Sequence, residues 1–210
     1  MKIYDISMEI HEEMTVYKNY EHKKPQIKMV SNFDTGTSYE TDVTLNLHTG
    51  THIDMPLHMI QGGSTLDTFD ITKMITPCKV LDLTHVSGGI TKKDLEKYEI
   101  KEDDFILLKT KNSDVEEFDF EFIYLEKTGA SYLVEKRIKG VGIDALGIER
   151  AQPEYETHRQ LLSQGVVILE GLRLKDIQEG DYFLYAVPLK IRGVEASPVR
   201  ALLMEERKLQ

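Results

Sequence analysis

The chain has 210 residues, 40% of them hydrophobic, which is enough for one sizeable core; no linker interrupts it, so residues 1–210 read as a single domain. A formal net charge of −10 without any basic stripe argues against nucleic acid or an anionic membrane as partner. No apolar run has signal-peptide length or the roughly 18 residues of a membrane span, and Cys78 is the only cysteine; the expectation is a cytoplasmic protein with no internal disulfide and no thiolate metal cluster.

Lys2 to Ile6 alternates apolar and polar side chains as a half-buried strand does, and the stretch to about Phe33 reads as an irregular arm. Tyr39 to Leu47 alternates again, with Val43, Leu45 and Leu47 on one face, and is expected to be a strand that delivers the chain into His48-Thr-Gly-Thr-His52-Ile-Asp54-Met-Pro56-Leu-His58. Gly50 and Pro56 argue against a helix there. On extended backbone His52 and Asp54, at i and i+2, project from one face. Gly62-Gly63 marks a loop and Lys79 to Leu83 a short strand; Thr91-Lys-Lys-Asp94 resembles a helix N-cap opening a helix to about Tyr98. Phe105 to Lys109 is a buried strand, and residues 112–119 are acidic and exposed. Tyr132, Leu133 and Ile138 predict a helix over Ala130 to Lys139, ended by Gly140. Val141 to Ile143 is a strand, His158 to Gln164 a helical turn or two, and Val166 to Leu169 a strand leading to Glu170. Tyr182 to Val187 and Val199 to Met204 complete an α/β fold with a mixed sheet.

Three of the seven histidines and one aspartate fall within the eleven residues from His48 to His58. Imidazole and carboxylate together suit zinc, manganese or iron. Hydrolytic sites often hold two ions about 3.5 to 4 Å apart, bridged by one carboxylate. His48, His52 and Asp54 supply three ligands for the first ion, and a bridging Asp54 would reach a second, for which His158 and Glu170 are the candidates on structured backbone. An uncoordinated His58 is placed to act as general base or acid. The remaining histidines, His11, His22 and His85, read as ordinary polar residues, and Cys78 as a buried small hydrophobe. Tyr17 can stack on a substrate ring, and Ser197, before Pro198, either touches substrate or shapes a turn.

The eleven-residue stretch is similar to the His-x-Gly-Thr-His-x-Asp-x-Pro-x-His signature of the cyclase family of metal-dependent hydrolases, which includes bacterial kynurenine formamidases (arylformamidases of tryptophan catabolism) and isatin hydrolases. The likeness continues through Gly142-Ile-Asp144-Ala-Leu, Glu149-Arg, His158-Arg, Ile168-Leu-Glu170-Gly-Leu, Gly180-Asp-Tyr, Pro188-Leu-Lys190 and Ser197-Pro-Val-Arg200. By position, the resemblance implies His48, His52 and Asp54 on a first metal, Asp54, His158 and Glu170 on a second, and His58 as catalytic base. It further implies zinc, with manganese as a variant, a swivelling β/β/α fold, and a homodimer or higher homo-oligomer whose neighbouring loops close the site. One departure stands out. Kynurenine formamidases tend to carry an aromatic-Pro-Gly-Asp-like turn near the N-terminus, whereas this chain has Val16-Tyr-Lys-Asn-Tyr20 and no tryptophan, which argues against N-formylkynurenine as substrate. The reading is hydrolysis of a C–N bond in a small amide, formamide or cyclic amide by a metal-activated hydroxide. The alternatives are a metal-dependent lyase or cyclase acting on a carbonyl compound, and a non-catalytic metal-binding module.

Overall fold

The computed structural model describes residues 2–205. Its strands in chain order are β1 (Ile3–Asp5), β2 (Gln26–Ser31), β3 (Glu40–Thr44), β4 (His52–Asp54), β5 (Ile75–Asp82), β6 (Gly89–Ile90), β7 (Phe105–Lys109), β8 (Tyr124–Leu125), β9 (Gly140–Ile143), β10 (Val167–Glu170), β11 (Gly180–Tyr185), β12 (Ala196–Pro198) and β13 (Leu202–Met204). The α-helices are α1 (Lys92–Leu95), α2 (Lys127–Glu135) and α3 (Glu156–Ser163). Nine strands form one sheet in the order β1-β13-β11-β5-β7-β9-β10-β4-β12. The four from β5 to β10 are parallel and the flanking strands antiparallel, which gives the α/β class and mixed sheet that the sequence predicts. No described helix is long and apolar enough to cross a membrane.

The centre of the sheet follows from its side chains. Phe105-Ile-Leu-Leu is buried on both faces, with Phe105 and Leu107 packing into one cluster and Ile106 and Leu108 into the other, as a strand with period two must. The second cluster also takes Leu133 of α2 and Leu161 of α3, so the helices cover that face. Beside β7, Gly140 and Gly142 leave the space that the larger side chains fill; a Cβ on Gly140 would lie 2.3 Å from the Phe105 ring.

Gly140 is therefore a packing residue of β9, not the helix terminator expected from the sequence. Helix α2 stops at Glu135, and Arg137, at φ 55°, turns the chain so that Ile138 packs outside the helix. Helix α1 is a single turn, shorter than expected, although Thr91 and Asp94 form the anticipated reciprocal cap. The N-terminal arm is more regular than expected, because β2 pairs with β3 as a separate exposed hairpin. β3 ends at Thr44, so a turn and not a strand brings the chain to His48, with Thr49 N–H donating to Asn46 C=O.

Candidate metal centre

Three short elements carry the predicted donors to one place. β4 lies between β10 and β12, in a register that sets His52 opposite Glu170 and Asp54 opposite Ile168. His52, Asp54 and Glu170 then share the helix-covered face, while Ile53 and Leu169 point into the opposite core. α3 packs on that face of β10 and brings in His158. After β4, Pro56 opens a 3₁₀ turn that ends on His58.

All five predicted donors are brought together. His52 Nε2 is 3.4 Å from Glu170 Oε2 and 3.6 Å from Asp54 Oδ1. His158 Nε2 is 3.3 Å from Glu170 Oε1 and 3.7 Å from Asp54 Oδ2. His48 Nδ1 is 3.0 Å from Asp54 Oδ1. The closest triads are His52, Asp54 and Glu170, and His48, Asp54 and His58, each with donor atoms within 4.8 Å of one another. Asp54 belongs to both. This pairs His52 with Glu170 and draws in His58, whose ring centre is 4.2 Å from that of His48.

The polar bookkeeping of the cluster is incomplete without a cation. Four buried side-chain polar atoms lack a hydrogen-bond partner among the described residues, and three of them are His52 Nε2 and both oxygens of Asp54. His48 lies close to Asp54 but is misaligned for a hydrogen bond. Buried carboxylate oxygens in this condition are costly, and a divalent ion facing nitrogen and oxygen donors is what such atoms fit. The charges agree. Burial opposes ionisation of Glu170, yet His158 and His52 hold its carboxyl well below the usual range. Asp54 is also lowered, by His48 and His52 against burial and the charge of Glu170. His158 rises to about 10, because Glu149 and Glu170 outweigh a burial that would lower it. The carboxylates thus favour a proton on His158 and His52 at the place a metal would take.

A supporting set holds the donors in orientation. His52 Nδ1 lies 2.9 Å from Gly50 C=O, so its proton is placed there and Nε2 turns to the carboxylates. Glu149 Oε1 bonds His158 Nδ1 and accepts from His158 N–H, while Oε2 accepts from Thr157 N–H, so one carboxylate caps α3 and orients the His158 ring. Ile148 N–H donates to Glu170 at 2.6 Å, and Thr51 Oγ1 donates to Gly171 C=O at 2.6 Å, tying the histidine loop to the end of β10. Sequence reasoning assigned no role to Glu149 or to Glu195, which lies 3.4 Å from His48 Nε2. For Glu149 the available signal was the Glu149-Arg likeness, nine residues before His158.

A cleft of about 550 Å³ opens over His48, His58, His158 and Glu170, with Tyr17, Lys18, Lys23, Gln152 and Tyr155 also facing it. Tyr17 thus lines the cleft, its ring edge-on to Phe118 at 5.3 Å. Burial, as the largest influence, lowers the pKa of His58 and keeps the ring neutral near pH 7. Ser197 is the exception. It is fully buried in β12, accepts from Leu189 N–H and donates to Pro198 C=O, so it shapes the turn and does not line the cleft.

Comparison with known proteins shows the family. The Putative cyclase family matches residues 4–150. A kynurenine formamidase of Bacillus cereus is 34% identical over 163 residues, 77% of this chain and 78% of the relative, and that of Bacillus anthracis is 33% identical over the same share. A solved structure described as a potential metal-dependent hydrolase with cyclase activity superposes with a TM-score of 0.91 at 50% identity, covering 96% of both chains. A predicted metal-dependent hydrolase from Bacillus stearothermophilus gives 0.89 at 51% identity, covering 96% of this chain and 97% of the other. Isatin hydrolase A from Labrenzia aggregata shares the fold, with a TM-score of 0.85 at 22% identity over 98% of this chain and 94% of the other. On its residues, its fold and these likenesses, the chain belongs to the cyclase family.

Proposed function

We propose that the protein hydrolyses the C–N bond of a small-molecule amide or formamide in the cleft above His58. The observation that carries this reading is the convergence of His52, Asp54, Glu170 and His158 on one buried point, with Asp54 left without hydrogen bonds. Its relatives named as kynurenine formamidases support the bond type.

His48, His52, Asp54, His158 and Glu170 would hold divalent metal, read as two zinc ions sharing Asp54, with manganese as the variant. Metal at this place supplies Lewis acidity toward the carbonyl and makes a water acidic enough to lose a proton near pH 7. The chain's own residues do the rest. Glu149, through His158, and Gly50, through His52, fix the imidazoles in the ligating orientation. His58, neutral and facing the cleft, accepts the proton of the attacking water and returns it to the departing nitrogen, an exchange that contributes on the order of 10² to 10⁴ in rate.

The protein is further read as a homo-oligomer. In support, the β2–β3 hairpin exposes Ile27, Met29, Phe33, Tyr39 and Val43, which a second copy would cover. Light scattering on the purified protein decides this point.

Elemental analysis with hydrolysis assays on N-formylkynurenine, formanilide and isatin tests the activity. His52→Ala should lose metal and activity together. His58→Ala should keep its metal and lose rate; if it lost metal, His58 would be a ligand in the triad with His48 and Asp54. Metal content unchanged in His52→Ala would overturn the ligand assignment.

A further inference from the structure

The mouth of the cleft carries charge opposite to that of the whole protein. The chain has a net charge of −10, yet the two side chains with formal charge that face the cleft without an ionic partner are Lys18 and Lys23. Glu149 and Glu170, the carboxylates there, already accept from backbone N–H groups and face the rings of His158 and His52. Among the described residues neither lysine has a carboxylate within 4.0 Å, whereas the adjacent Lys24 is paired with Glu21 at 2.9 Å. Both ammonium groups instead lie over the ring of Tyr17, at 5.2 Å and 5.3 Å from its centre.

The backbone that presents them is held in uncommon conformations. Of the seven non-glycine residues with positive φ among those described, five are Lys18, Asn19, Ala151, Glu154 and Tyr155, in the two loops that flank the cleft. Such conformations persist where the surroundings impose them, and they collect at binding sites. Lys23 is tied to the histidine loop directly, because its carbonyl accepts from Thr49 Oγ1 at 2.9 Å. The backbone of both lysines is thus held beside the donor cluster, and both side chains reach the cleft.

We infer that Lys18 and Lys23, beside the ring of Tyr17, form an anion subsite that selects amide substrates bearing a carboxylate on or next to an aromatic ring, at the end away from the scissile bond. This rests on the amide-hydrolase reading. The ring stacks at Tyr17, the carboxylate accepts from the two ammonium groups, and the acyl group is left toward His58 and the donor cluster.

The test compares formanilide with 3- and 4-formamidobenzoate, which differ only in the carboxylate, on metal-loaded wild type and a Lys18→Met/Lys23→Met variant at low salt. Wild type should prefer the carboxylates in kcat/KM. The double variant should lower that preference roughly 10- to 100-fold, chiefly through KM, the range expected on losing charge-assisted hydrogen bonds. Lys93→Met, an exposed change on α1, controls for net charge and should leave the preference as it is. Lys18→Met alone, at an exposed position, should show part of the effect if the double variant folds poorly. Calorimetry with the cleaved amines gives a readout independent of turnover: 4-aminobenzoate should bind wild type more tightly than aniline, and the difference should collapse in the variant. Equal preference in wild type and variant, or no preference for the anion in either measurement, overturns the subsite. Absence of turnover with preserved anion-selective binding overturns the amide-hydrolase reading instead.

Discussion

Gly171 offers a sharp test of how the donor cluster is held. It follows Glu170 at φ +70°, and a Cβ there would lie 2.3 Å from Gly50 O and 2.7 Å from Gly50 C. Both obstacles are backbone, so no rotamer change relieves the clash. Gly50 O is also the partner of His52 Nδ1, so pushing it away disturbs the orientation of the His52 ring itself. Gly165 supplies the control, since it has φ +69° and nothing within 4 Å of an added Cβ. Gly165→Ala should cost only the left-handed conformation, about 1–2 kcal/mol. Gly171→Ala carries the same cost plus overpacking of about 1–3 kcal/mol, roughly 2–5 kcal/mol in all. For a chain of this size each kcal/mol moves Tm by roughly 2–4 °C, so the two variants should separate clearly in a melting experiment. Metal per chain, measured by elemental analysis, should fall in Gly171→Ala and stay at the wild-type value in Gly165→Ala. Equal melting temperatures, or full metal content in Gly171→Ala, would refute the reasoning.

Other outcomes follow from the same geometry. Glu149→Gln keeps the shape but removes the charge opposite His158 Nδ1, and metal affinity by competition with a chelator should drop about 10- to 100-fold. Asp144 is buried, and its pKa rises to about 6 although Thr110 and Ser113 donate to it. An acid whose folded pKa is raised contributes its stability fully below the unfolded value of 3.8 and loses it as pH rises through about 6. At 1.36 kcal/mol per pKa unit this is at most about 3 kcal/mol. The stability of wild type relative to Asp144→Asn should therefore fall between pH 4 and pH 7 in urea titrations; a flat or rising difference would contradict it. Removing metal with a chelator should abolish hydrolysis and lower Tm, and zinc should restore both.

What was legible in the sequence divides along physical lines. Phe105–Lys109 and the strand ending at Glu170 stood out because strands buried on both faces are continuous apolar runs. His52 and Asp54 were placed on extended backbone by Gly50 and Pro56, and β4 bears that out. The hairpin β2–β3 was half missed: the alternation of Tyr39 to Leu47 pointed to β3, but β2 pairs only with that strand and buries neither face, so its segment read as an irregular arm. β12 is three residues long and exists because β4 offers it an edge, which no local pattern announces. Gly140 was misread because a glycine needed for space and one needed to end a helix are the same letter. Glu149 and Lys18 were noted only within longer stretches and given no role, because the role of each comes from what stands opposite it.

The short bond from Thr51 to Gly171 spans 120 residues of chain, and β4 is secured on both sides by strands from the far C-terminal part. Closing so long a loop carries an entropic cost that a three-residue strand repays poorly. The four carboxylate and imidazole arms that meet across it contain two acids which repel one another until a cation arrives. Metal bound at this cluster would act as a clasp on topology, closing the loop that the sheet alone closes weakly. The apo protein should consequently open first at residues 46–58, seen as faster amide exchange and proteolysis there, while the β5–β7–β9 centre stays protected.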